Sequence, residues 1–328
     1  MDKSEVYFIK INELNKIKDL LPNFDDRLGI KVHFGEEGNV TYIPAKYIKE
    51  ITDMLDKPTF IETSVLYKSP RSKATTHREL ARRHGFDFLP INFIDGEMGD
   101  DVLEIDSIGK LYQKVYLGKG LENYNSLLVI SHFKGHMASG FGGALKNLGM
   151  GLAARRGKLA QHASIQHQVK EEKCVSCGTC IDNCPVNAIN FNDDKKAEIN
   201  QDICIGCSKC ISVCPESAIR IPWSSTDNNI FQERMAEYAA NAIQNKKCFF
   251  INFLINITRD CDCINKVQEP LTPDICILAS SDPVAIDQAS YDLVLEQFEE
   301  FKEFDGEIQL KYGEELGLGK GEYELINL

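Results

Sequence analysis

Eight of the twelve cysteines in this 328-residue chain fall within the 41 residues from Cys174 to Cys214, as one spacing written twice. Cys174, Cys177, Cys180 and Cys184 follow the order C-x2-C-x2-C-x3-C, and Pro185 comes next. Thirty residues on, Cys204, Cys207, Cys210 and Cys214 repeat that order before Pro215. A fixed period of this kind marks one structural unit copied in tandem. A chain of this length buries about three-quarters of its unfolded surface and needs no disulfide staples. Ordered thiols in such numbers therefore point to metal ligation. Zinc ribbons need only two Cys-x2-Cys pairs, which leaves the cysteines before the two prolines without a role.

The spacing suits iron–sulfur cubanes. Three thiolates at two-residue gaps sit on a tight loop and hold three irons, and the fourth, on the next helical turn, reaches the other cluster. The expected ligand sets are Cys174, Cys177, Cys180 and Cys214 for one 4Fe-4S cluster, and Cys204, Cys207, Cys210 and Cys184 for the other. Gly178 and Gly206 allow the backbone to approach the sulfides closely. Ala188–Phe191 and Ala218–Ile221 read as short strands after each fourth cysteine. This part resembles a bacterial-type two-cluster ferredoxin, and the resemblance implies one-electron transfer at low potential.

On either side of the cysteine zone the chain alternates strand-like and helical patterns. Val6–Ile11, Leu28–Phe34, Thr59–Thr63, Leu127–Phe133, Phe249–Ile257 and Ile275–Ala279 read as strands. Helices are expected near 44–56, 72–84 and 142–155, and after Asp282-Pro283. Strands separated by helices predict an α/β fold, a mostly parallel sheet with helices on both faces. The expected organisation is a discontinuous body, 1–167 and 223–328, with 168–222 inserted as an α+β ferredoxin-like unit. Lys and Arg total 37 against 49 Asp and Glu, a net charge of −12. That balance argues against nucleic acid and against anionic membrane surfaces as partners. The start lacks the build of a signal peptide and the longest apolar run is far below a membrane span, so a cytoplasmic location is expected.

Leu127–Phe133 leads into Lys134-Gly-His-Met-Ala-Ser-Gly-Phe-Gly-Gly-Ala-Leu-Lys146. A strand, a glycine-rich loop and a helix opening near Gly142 would present backbone N–H groups and a positive dipole end to an anion. It is neither a Walker A loop nor a dinucleotide fingerprint. Lys146, His132 and His136 are the candidate catalytic residues, and Gly140, Gly142, Gly143 and His33 the candidate cofactor-binding ones. They would serve a small anionic ligand or a further organic cofactor, and packing glycines with a solvated lysine remain the plain alternative. All seven histidines, His77 among them, precede the cysteine zone, and His33 and His132 fall at the carboxyl ends of expected strands, where α/β sheets bind ligands. On an extended segment Cys261 and Cys263 would face one side together, as metal ligands, pocket residues or small buried thiols. Cys248 and Cys276 read as core.

Lys31-Val-His-Phe-Gly-Glu36, Ser131–His136, Gly142–Gly149, Asp260–Cys263 and Ser281–Asp287 resemble the iron–sulfur proteins of domain of unknown function 362. Many members of that family carry a two-cluster ferredoxin segment at this place, so the resemblance implies fold and cofactor but not substrate. Phe141–Lys146 also resembles the Gly-Gly-Ala-Lys loop of the lactate racemase family, with an extra residue between Ala144 and Lys146 and with His136 and His162 as the matching histidines. Two functions are open at this point. One is the redox component of an oxidoreductase, passing electrons from two 4Fe-4S clusters, with a redox partner protein, to a ligand in the α/β body. The other is a dedicated electron carrier or scaffold.

Overall fold

The computed structural model describes residues 3–24, 27–163, 167–221 and 226–328. Its main sheet holds β1 (Ser4–Ile9), β2 (Leu28–Lys31), β3 (Thr59–Glu62), β4 (Ile91–Phe93), β5 (Ser126–His132), β6 (Lys247–Leu254), β7 (Cys276–Ser280) and β8 (Tyr323–Asn327). Their order is β8-β1-β7-β6-β5-β2-β3-β4. Only β7 runs against its neighbours β1 and β6, and the remaining pairs are parallel. This is the α/β, mostly parallel architecture that the alternation of patterns predicts.

The residues of β5, Ser-Leu-Leu-Val-Ile-Ser-His, are all buried, as a parallel strand covered on both faces requires. Leu127 and Val129 pack with Leu145, Leu148 and Tyr238 on one face. Leu128 and Ile130 join Ile30, Ile48 and Phe60 on the other. The period-2 alternation of a strand thus feeds two separate cores. The carboxyl ends of β2, β5 and β6 share one sheet edge, where β6 pairs Phe253 with His132. Because β7 returns antiparallel, the connection 255–275 needs no crossover helix and stays on that edge. It carries Cys261 and Cys263.

The glycine-rich stretch differs from the open loop expected. Lys134–His136 and Gly140–Gly142 pair as a small antiparallel hairpin before helix α1 (Ala144–Gly149). The helix expected over 142–155 is divided, and α2 (Arg155–His162) starts separately. Between them Ala153 bridges to Leu117, and Gly151 passes so near Lys31 that a Cβ would lie 2.4 Å from its Cε. Helix α3 (Asn228–Ala242) packs on α1. Helix α4 (Pro283–Gln297) begins at the Asp-Pro pair, with the Asp282 carboxylate accepting from Val284 N and Ala285 N at 2.8 and 2.9 Å.

Residues 167–221 contribute no strand to the main sheet. They form two small antiparallel pairs, Gln168–Val169 with Ile219–Arg220 and Ile189–Phe191 with Ala197–Ile199. Their apolar cluster is separate and small, built on Ile189, Ile199, Ile211 and Ile219. The expected boundary at 222/223 lies outside the described residues. Among the described residues, no helix is long and apolar enough to cross a membrane.

Asp287, from α4, lies fully buried and closes the start of α1. Its carboxylate accepts from Ala144 N at 2.7 Å, Leu145 N at 2.9 Å and Asn252 Nδ2 at 2.8 Å. Burial pushes its carboxyl up to about 6. Unfolded, the group titrates near ~4, so between these values the folded state binds a proton that the unfolded state has released. Stability therefore falls as pH rises through that window. Asp287→Asn is expected to flatten the slope in urea-midpoint measurements between roughly pH 4 and 6. Asp95, which burial also raises to about 6, retains part of it.

Candidate functional site

The cysteine repeat forms the first part of the site. Cys174, Cys177, Cys180 and Cys214 line one cavity. Cys204, Cys207, Cys210 and Cys184 line a second. In each, a cysteine from one copy crosses to complete the other copy's loop. The 30-residue period persists in the backbone: Ser176 and Gly206, Gly178 and Ser208, and Asn187 and Ser217 all take positive φ. These left-handed positions curl each loop around its cavity. Backbone N–H groups point at the sulfurs in the same repeat, Ala188 N to Cys184 Sγ at 3.2 Å and Ala218 N to Cys214 Sγ at 3.3 Å. His167 Nε2 lies 3.2 Å from Cys210 Sγ.

The second part sits at the carboxyl edge of the sheet. Asp262 is fully buried, 2.9 Å from His132 Nδ1 and 3.2 Å from Lys134 Nζ. Burial opposes its charge, but His132 and Lys134 outweigh that and hold the carboxyl well below its ordinary range. Its backbone carbonyl accepts from Glu36 N at 3.2 Å. Cys261 and Cys263 flank it on a turn closed by Ile264 N to Cys261 O at 3.0 Å, so the segment is bent rather than extended. The Cys261 sulfur receives Lys146 Nζ at 3.3 Å. The neighbouring Cys263 thiol, acting as donor, and the charges of Lys146 and Lys134 hold Cys261 well below the usual thiol range despite burial. Cys263 is driven the other way, by the nearness of Cys261 and by burial. Burial alone works against the Lys146 charge, yet the two sulfurs keep its pKa raised.

Lys146 is half-buried at this edge, beside Gly142, where a Cβ would lie 3.2 Å from Lys146 Cδ and 3.6 Å from Lys134 Cε. His136 lies near enough for Lys146 and Lys134 to add to the burial that lowers its pKa. Its Nδ1 accepts from Ala138 N and Ser139 N, which leaves the proton on Nε2. His33 likewise accepts from Gly35 N at Nδ1, and burial followed by the Arg71 charge keeps it neutral. Three expected residues face protein instead of a ligand position. His132 commits both ring nitrogens, to Asp262 and to Ile255 O at 2.8 Å, so it holds the loop and has no nitrogen left for proton transfer. Gly143 is backed by the Asp287 carboxylate 2.3 Å from a Cβ position, and Gly140 by the Asp305 backbone at 2.4 Å. The start of α1 is therefore filled by a carboxylate of the chain itself.

Sequence reasoning did not single out Asp262, Lys134, Glu36, Tyr67 or Arg71. Tyr67 Oη lies 3.2 Å from both Glu36 Oε2 and Cys263 O, and Arg71 Nη1 lies 3.8 Å from Glu36 Oε2. The signal for Asp262 was its position between two cysteines, and Glu36 and Lys134 lie in the Lys31–Glu36 and Ser131–His136 stretches; nothing local marks Tyr67 or Arg71. Cys276 is buried and Cys248 half-buried in the body, and burial lifts both thiols to about 12. His77 is buried, accepting from Arg71 Nε at 3.4 Å.

Fold and site together define an α/β protein with a lysine–cysteine pair at the carboxyl edge of its sheet and a twice-written four-cysteine segment. The chain belongs to the family described as Domain of unknown function (DUF362), whose model matches residues 28–292. It is also 65% identical over 26 residues to an uncharacterized polyferredoxin-like protein of Methanocaldococcus jannaschii, a match covering 8% of this chain and 16% of that protein. Among solved structures, the lactate racemase apoprotein from Thermoanaerobacterium thermosaccharolyticum aligns at TM-score 0.37 and 14% identity, over 77% of this chain and 51% of that one. A Thermotoga maritima protein aligns at TM-score 0.39 and 10% identity, over 92% of this chain and 58% of that one. The chain thus spans little more than half the length of either structure.

Removing the Asp262 carboxylate takes from buried His132 and Lys134 the acceptor they share. Asp262→Ala is expected to cost about 3–5 kcal/mol, the usual penalty for breaking a buried pair, read as a lower urea midpoint. Asp262→Asn, which retains an acceptor for His132, is expected to cost less.

Proposed function

We propose that this protein transfers electrons through two 4Fe-4S clusters, held by the crossed cysteine sets, to a ligand or cofactor bound at the Lys146–Cys261 edge of the α/β body. One observation carries the reading: each set of four cysteines derived from spacing, crossing residue included, lines a single cavity. The donor chemistry fits such a group. All eight cysteines are free thiols, and backbone N–H groups already point at Cys174, Cys184 and Cys214. Donors of this kind stabilise the added negative charge of a reduced cluster. Bound there, the clusters supply one-electron chemistry.

The chain's own residues do the rest. Cys184 and Cys214 tie the two copies together, and ligation supplies much of the stability that the small apolar cluster of 167–221 lacks. At the sheet edge, Lys146 and the Nε2–H groups of His136 and His33 are donors suited to a small anion. Asp262 and His132 orient the loop that carries the thiols. The acidic surface as a whole favours a redox partner protein over nucleic acid or membrane.

Anaerobically purified protein is expected to contain about eight irons and about eight acid-labile sulfides per chain. Zinc with little iron would end the reading. The crossing makes a sharper test by electron paramagnetic resonance. Cys184→Ser is expected to disturb the same signal as Cys204→Ser, and Cys214→Ser the same one as Cys177→Ser. Pairing by sequence proximity instead would refute the ligand sets, while circular dichroism should show the body still folded in all four variants.

A further inference from the structure

We propose that Cys261 and Cys263 form a second redox centre, a dithiol/disulfide couple at the sheet edge that accepts the electrons of the cysteine-rich segment. The inference rests on the electron-transfer reading above and names the acceptor that the reading leaves open.

Four observations converge on the pair. The turn closed by Ile264 N to Cys261 O bends the chain at two thiols separated by a single residue, near enough for each to shift the other's protonation. The two are unequal: Cys261 is 5% exposed and bonded to Lys146 Nζ, whereas Cys263 is half-buried. That asymmetry is what a dithiol couple needs, one sulfur kept as thiolate and its neighbour keeping the proton. Lys146 lies 3.3 Å from that sulfur, while Lys134, Lys31 and Arg71 at the same edge are each matched to a carboxylate. The fourth observation is connection. Lys68 Nζ donates to Pro215 O at 3.1 Å, next to the crossing ligand Cys214, and the adjacent Tyr67 reaches Cys263 O at 3.2 Å. Covalent bonds and two hydrogen bonds thus link the first cysteine cavity to the pair.

In the reduction, the Sγ–Sγ bond between the two residues breaks and two electrons enter, delivered singly by iron–sulfur donors. One proton goes to Cys263. Cys261 remains a thiolate against the Lys146 ammonium, so the balance is disulfide plus two electrons and one proton to thiolate plus thiol. Re-oxidation runs the same couple backwards on a two-electron acceptor, such as a substrate disulfide. Because Lys146 stabilises the reduced form, it makes the couple more oxidising than an unassisted pair.

Trypsin isolates the pair, since cleavage after Arg259 and Lys266 yields Asp260-Cys-Asp-Cys-Ile-Asn-Lys266 with no other cysteine. The holoprotein is equilibrated without oxygen in dithiothreitol buffers of graded potential, quenched in acid, alkylated, digested and weighed. The expected result is one two-electron transition between the doubly alkylated peptide and a form lighter by the two thiol hydrogens and lacking both alkyl groups. Lys146→Gln is expected to move that transition to more negative potential. Cys263→Ser should abolish it and lower the electrons taken up on dithionite titration by two per chain relative to oxidised wild type. A peptide that stays doubly alkylated in the most oxidising buffer, or an unchanged midpoint in Lys146→Gln, overturns the proposal. Iron content and visible absorption of the same samples report on the clusters separately. Their failure with a transition intact rejects the electron-transfer reading and leaves the dithiol couple standing.

Discussion

One buried carboxylate organises the functional edge. Asp262 lies at the carboxyl edge of the sheet with no exposed surface, and a charge so placed is tolerated only where cations and donors surround it. His132 from the end of β5 and Lys134 from the hairpin beyond it supply them, 2.9 and 3.2 Å away. The pairing pins the loop between β6 and β7 across the strand ends. That position, in turn, brings Cys261 to the ammonium of Lys146. The histidine at the strand end thus serves geometry, fixing the loop that carries both thiols.

The two cysteine environments contrast in how charge is managed. In 167–221, thiols surround cavities and are met by backbone N–H groups, the setting for a group that ligation itself stabilises. At the sheet edge, two thiols meet side-chain cations within a body that has its own large cores. The chain is acidic overall at −12, yet Lys31, Lys134, Lys146 and Arg71 all collect at this edge. Each is matched there, Lys31 to Glu62, Lys134 to Asp262, Arg71 to Glu36 and Lys146 to the Cys261 sulfur, so the edge pairs its charges internally.

Much of this was legible beforehand. Continuous apolar runs such as Leu127–Phe133 announced parallel strands, and Asp282-Pro283 announced a helix start, because both signals are local. The four-cysteine sets were legible because one spacing is written twice, and each set lines a single cavity. The helix over 142–155 was misjudged at its end because Gly151 packs on Lys31, a contact made 120 positions apart in sequence. The glycine-rich loop looked like an anion cradle because its local pattern is one. Asp287, supplied from a distant helix, fills that cradle instead.

The sequence by itself determined the elements whose cause lies within a few residues: strand alternation, helix starts, and the cysteine repeat. It also placed Lys146 and the pair Cys261 and Cys263 among the chemically interesting residues. Only the tertiary structure decided that these belong together. Lys146 and Cys261 are 115 positions apart, joined because β7 runs antiparallel and returns their connecting loop to the edge where α1 begins. Partner choice for a buried charge is likewise a long-range property. Asp262 finds His132 across 130 positions, and no local pattern encodes which histidine a carboxylate will meet once the sheet is assembled.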